Sequence, residues 1–171
     1  MNIDEFDWHY AFTRRILAAV DAEIRAVADS WPDCLDEYEH QEELAGIAFV
    51  ALQRYISGTL ASFRRVFPTQ TETDYELRGQ DCPSVAGVTV VEGIWTAANY
   101  WKHHDEWPDW KAEARRKPTI HTLTKLGVTA GTELPCLSLL QMLAGDNPGA
   151  LSRLLEISSS WRGAVLLRLH T

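Results

Sequence analysis

Residues 44–67 read LAGIAFVALQRYISGTLASFRRVF. Phe49, Leu52, Ile56, Leu60, Phe63 and Phe67 recur in steps of three and four, which places them on one face of a helix. Leu44, Ile47, Ala51 and Tyr55 form a second apolar stripe beside the first. A helix that is apolar on two faces belongs at the centre of a bundle, where neighbours cover more than one side. The spacing predicts a helix from near Asp33 to about Phe67. Its acidic start suits the positive end of the helix dipole. Gly46 and Gly58 lower helix propensity and mark close helix contacts or a kink.

Upstream, Phe6, Tyr10, Thr13, Leu17, Val20, Ile24 and Val27 alternate steps of four and three, which predicts a helix over residues 4–29, ended by the SWPD turn. Downstream, residues 68–83 (PTQTETDYELRGQDCP) are polar and read as a loop of a length that usually covers a site or moves. A third long helix is expected from Pro83 to Glu106, with Gly87, Val91, Ile94, Ala98 and Trp101 inward and Pro108 as its stop. Pro118 opens a shorter helix that Gly127 closes. Thr132 is expected to cap LPCLSLLQMLAG, which ends at Gly145. Asn147-Pro148 opens another with Leu151, Leu154 and Leu155 inward. The tail, WRGAVLLRLHT, fits either a last helical turn or a strand. The expected architecture is all-α: one helical domain over residues 1–171, with three long helices and three or four short ones toward the C-terminus.

With 46% hydrophobic and 23% charged residues, the chain has an ordinary globular composition. Its net charge of −8 argues against a general nucleic-acid-binding surface, which needs excess base. The charge is uneven, however: Asp33, Asp36, Glu37, Glu39, Glu42 and Glu43 cluster, and Lys111, Arg115, Arg116 and Lys117 form a basic knot. Cys34, Cys82 and Cys136 are far apart and make no C-x-x-C pair, so neither a disulfide framework nor a zinc site is expected. No signal-peptide pattern and no apolar run near the roughly 20 residues that span a bilayer are seen, so a cytoplasmic protein without membrane contact is expected.

Residues 99–110, NYWKHHDEWPDW, are the densest stretch of reactive and aromatic side chains. On a helix, Asn99 reaches toward both Lys102 and His103, while His104 points about 100° away from His103. An imidazole titrating near neutrality suits His103 to general base or acid work, with Lys102 stabilising an anion and Asn99 orienting its neighbours. Trp101, Trp107 and Trp110 would supply dry walls or a stacking platform. The same residues also serve as an ordinary helix end, since Lys and His in the last turn favour the negative end of the dipole.

Glu37-x-x-His40-x-x-Glu43 has the spacing that helix bundles use for di-iron centres, but such a centre needs the motif twice and two further carboxylates. The chain has it once, so no metal and no cofactor are expected. Phosphate-binding P-loop, dinucleotide, zinc-protease and α/β-hydrolase signatures are also missing from the sequence.

Arg116-K-P-T-I-His121 is an arginine followed by four residues and a histidine. With the long-helix layout and the N-Y-W-K-H run at 99–103, it resembles the bacterial HEPN proteins (higher eukaryote and prokaryote nucleotide-binding). These are small all-α bundles, many of them ribonucleases of toxin–antitoxin or phage-defence systems, marked by an Arg, four to six intervening residues, and then a His. The resemblance implies a metal-independent ribonuclease or nucleotide-acting enzyme, often a homodimer. His103 or His121 would act as base, and Lys102 or Arg116 would stabilise phosphate charge. The alternative is a non-enzymatic acidic binding protein, such as an immunity factor, antitoxin or accessory subunit. It would meet a basic protein partner through Glu37, Glu39 and Glu43.

Overall fold

The computed structural model describes residues 7–30, 35–104, 118–145 and 149–170. Its centre is the helix expected there, α2 (Leu35–Val66, 32 residues). Phe49, Leu52, Ile56, Leu60 and Phe63 are buried as the first stripe requires, and Tyr55 of the second is buried with them. Ile47 departs from its stripe and is 48% exposed. Before α2 runs α1 (Trp8–Ser30), and the two helices pack along their length. Thr13, Leu17 and Val20 face the core. Both glycines of α2 mark close approaches. The Trp101 indole lies directly on Gly46, and a Cβ at Gly58 would come 3.1 Å from the His9 ring.

By length and composition, α2 meets the criterion for a membrane span, with an 18-residue window of mean hydropathy 1.3; 56% of that window is buried inside the bundle. The apolar character is what a helix needs when α1, α4 and two C-terminal helices cover it.

The polar stretch after α2 is more structured than a loop. A short helix, α3 (Asp74–Arg78), starts at Thr73, whose hydroxyl accepts from the Glu76 amide while the Glu76 carboxylate accepts from the Thr73 amide. A two-stranded antiparallel ribbon follows, β1 (Ser84–Val85) and β2 (Val88–Thr89). Ala86 and Gly87 turn it with φ of 51° and 75°. Left-handed backbone at both central residues is the turn whose twist matches a hairpin.

The third long helix, α4 (Val90–His103), therefore begins seven residues later than expected. Thr89 is its cap, accepting from the Glu92 amide at 3.2 Å, and Gly87 belongs to the hairpin turn instead of the inward stripe. Val91, Ile94 and Ala98 are buried as expected. The expected end at Glu106 and the stop at Pro108 lie outside the described residues.

Pro118 opens α5 (Pro118–Lys125). Gly127, at φ 76°, closes it with Val128 N donating back to Leu123 O at 3.0 Å. Next comes α6 (Pro135–Ala144), closed by Gly145. Its start corrects the expected cap: the Thr132 hydroxyl accepts from Thr129 N, inside the preceding turn. The first amides of α6 donate instead to Glu42 on α2, Cys136 N to Oε1 at 2.7 Å and Leu137 N to Oε2 at 2.8 Å. A carboxylate at a helix N-terminus satisfies orphan donors and meets the positive dipole end. Replacing Glu42 by alanine is expected to cost about 2 kcal/mol in a urea unfolding experiment, while Thr132→Ala stays within about 0.5 kcal/mol. Equal, small effects of the two would show that Glu42 is not the cap.

The C-terminal segment is one long helix, α7 (Ala150–Leu169, 20 residues), which settles the tail as helical. Leu151, Leu154 and Leu155 are buried, and Ser158, Trp161, Arg162, Val165 and Leu166 continue their face. Ser158 fits a dry position because its hydroxyl donates to Leu154 O at 2.8 Å. Buried side chains from α1 to α7 and from β2 form one apolar cluster. The fold is all-α apart from the small ribbon.

Candidate functional site

The end of α4 is held against α2 by a residue outside both apolar stripes, Gln53, which is 7% exposed. Its Nε2 donates to Asn99 Oδ1 at 2.9 Å and to Trp95 O at 3.3 Å. Its Oε1 accepts from Lys102 Nζ at 2.7 Å. One amide thus fixes both the carboxamide of Asn99 and the ammonium of Lys102. Burial lowers the Lys102 pKa from its ordinary value. Among the described residues no carboxylate pairs with this ammonium, and its position is set by the Gln53 amide.

Trp101 lies over Gly46 on one flank. On the other it stacks on His104, with ring centroids 5.6 Å apart and planes at 26°. His104 Nδ1 also meets Trp101 O at 3.0 Å. His103, the proposed base, is exposed on the next position of the helix, and His121 is exposed on α5. Arg116 and Trp107 lie outside the described residues. The structure therefore brings Asn99 and Lys102 together, with His103 beside them in sequence and His121 on a separate helix.

Of the acidic residues, Glu39 and Glu43 are exposed, whereas Glu37 is buried at 5% exposure. Glu37 Oε1 accepts from Gln41 at 2.8 Å, and its Oε2 is buried and meets no partner among the described residues. Glu37 thus points inward while His40 points out, so the Glu-x-x-His spacing does not converge. Among the described residues no group of three His, Cys, Asp or Glu could hold a metal.

A second polar cluster joins three helices. Asp7 Oδ2 accepts from the Tyr55 hydroxyl at 3.2 Å and from Arg162 Nη1 at 3.1 Å. Burial first, and the Asp7 charge second, push the Tyr55 pKa up. Tyr55 and Arg162 are buried, so this cluster fastens the start of α1 to α2 and α7 and has little surface to offer a solute.

The segment read as a loop that covers a site does border a cleft. A space of about 300 Å³ lies between α3, the hairpin, α4 and α5, with Tyr75, Thr89, Glu92, Thr122 and Lys125 on its walls. Behind it, Arg78 is buried at 6% exposure. Its Nε donates to Glu92 Oε2 at 2.7 Å, and its guanidinium carbon lies 4.1 Å from the Trp95 ring centroid. Burial raises the Glu92 pKa above its ordinary range, with the Arg78 charge opposing. Nothing local in the sequence marked this pair, because the contact forms only when α3 folds back onto α4. No protein-family model, no curated protein and no solved structure matches the chain.

Proposed function

We propose that the end of α4 binds a phosphate group and that the chain is a HEPN-like, metal-independent ribonuclease or nucleotide-acting enzyme of bacterial defence or toxin–antitoxin type, working in the cytoplasm. The observation that carries this reading is the Lys102 ammonium, oriented by the neutral amide of Gln53 and, among the described residues, without a carboxylate partner. A lysine that only ties down a helix end gains most from an acid. One held by an amide keeps its charge for an anion.

In the reaction, His103 takes the proton of a ribose 2′-hydroxyl. The 2′ oxygen attacks the adjacent phosphorus, the bond to the 5′ oxygen breaks, and that oxygen takes a proton from solvent or from His121. Lys102 stabilises the charge that builds on the phosphate oxygens. Arg116 and a second copy of the chain are the sources of further positive charge that the resemblance supplies.

The test compares RNA cleavage and growth arrest by the wild type with His103→Ala, Lys102→Ala and His121→Ala. The His103 and Lys102 variants are expected to lose about a hundredfold in cleavage rate, with an unchanged melting temperature for the exposed His103 position. A wild type that is harmless and leaves RNA intact would sink the enzyme reading.

That result would favour the second reading, an acidic binding protein, which one observation supports. Asp36, Glu39, Glu43 and Ile47 follow one exposed strip of α2, with acid around a half-open apolar side chain. Its signature is association with a basic protein that weakens with added salt, and less steeply after charge reversal at Glu39 and Glu43.

A further inference from the structure

The cleft beside α4 is independent of the Lys102 site and has its own chemistry. Glu92 lies on its wall, and among the described residues only one of its two carboxylate oxygens is committed to a protein side chain, Oε2 to Arg78 Nε. Lys125, in the last turn of α5, lines the same space. Among the described residues no ion pair joins Lys125 to Glu92, to Glu76 or to any other carboxylate. Two opposite charges therefore face one space without closing on each other.

Thr122, buried, adds a hydroxyl-bearing side chain to the lining, and Tyr75 lines the space while largely exposed. A volume of about 300 Å³ is at the small end of ligand sites.

We propose that this cleft binds a small zwitterion of the α-amino acid class, its ammonium on the free oxygen of Glu92 and its carboxylate on Lys125. A simple cation would leave Lys125 unanswered, and a simple anion would meet Glu92 unfavourably. A molecule with one charge of each sign satisfies both, and Tyr75 is placed to cover its side chain. Burial holds the Glu92 carboxyl above its ordinary pKa, and an arriving ammonium offsets that cost.

The experiment is calorimetric titration of the full chain with individual proteinogenic L-amino acids at about 10 mM, and with butylamine and propionate as probes that carry only one of the two charges. At least one amino acid is expected to bind with a Kd below about 1 mM. Each single-charge probe should bind about tenfold more weakly or worse, given the worth of a charge-assisted contact. Lys125→Ala, at an exposed position, should weaken the amino acid by about tenfold and leave butylamine unchanged. The proposal is overturned if no amino acid binds, if butylamine or propionate binds as well as the amino acid, or if Lys125→Ala binds it like the wild type. None of these outcomes depends on RNA cleavage.

Discussion

Arg78→Met is expected to lower the unfolding free energy by about 3 kcal/mol or more at neutral pH. The Arg78 and Glu92 side chains are only 8% and 14% exposed. Removing one member of such a pair strands the other charge in a poorly hydrated place, a far larger loss than the net worth of the pair itself. The same substitution also removes the cation from the face of Trp95.

The cost should depend on pH. Burial outweighs the Arg78 charge and sets the folded pKa of Glu92 above its ordinary 4.5. The folded state therefore holds this proton more tightly than the unfolded chain, and the contribution of Glu92 to stability falls as pH rises through the raised value. Without Arg78 the carboxyl is pushed higher still. The stranded group is more protonated at pH 5 than at pH 8, so the substitution costs less at the lower pH. Chemical denaturation at both values tests this. The double variant Arg78→Met/Glu92→Leu should recover part of the loss, since an apolar pair of similar size replaces a buried ion pair at little cost. Strictly additive single effects would show that the two residues do not interact.

Trp161→Ala is expected to cost about 4 kcal/mol, the usual range for emptying a large aromatic site in a core. Trp161 is fully buried on α7 and meets Phe63 edge to face at 6.0 Å. Its indole N–H donates to Leu77 O at 2.9 Å, so the side chain also anchors α3. Trp161→Phe separates the two roles. It keeps most of the apolar volume but leaves the Leu77 carbonyl without its donor, for a loss of about 1–3 kcal/mol. Hydrogen exchange should then quicken over residues 73–79 before it quickens in α2. A phenylalanine variant as stable as the wild type would mean that the hydrogen bond contributes nothing.

What the sequence revealed and what it concealed have a common cause. The faces of α1 and α2 were legible because burial repeats with the helical period, as Leu17, Phe49 and Leu60 do. The end of α5 at Gly127 and that of α6 at Gly145 were legible because a left-handed residue is a local demand. The starts of α3 and α4 were readable in principle, since Thr73-x-x-Glu76 and Thr89-x-x-Glu92 both carry the Thr-x-x-Glu signature. Proline at 83 offered a rival start and drew the boundary too early. Three serines and an arginine broke the pattern of α7, although Ser158 turns its hydroxyl back on its own helix.

At the candidate site, the chemistry of Asn99 and Lys102 was visible from their spacing. Their partner Gln53 was not, because it sits 46 positions from Asn99 and its neighbours in the sequence read as core. Glu42 looked like one acid among several, and only folding shows that it caps a helix 94 residues away.

That last contact bears on how the chain is made. Synthesis proceeds from the N-terminus, so α2 leaves the ribosome well before α6 and α7, which complete its surroundings. Ties such as Asp7 to Arg162, 155 positions apart, form only after α7 has emerged. Until then the nascent α2 carries uncovered apolar faces, and the first turn of α6 depends on an acid translated long before it. Folding is thus delayed toward the end of translation, and this chain should depend on holding factors during synthesis more than a bundle closed by neighbouring helices would.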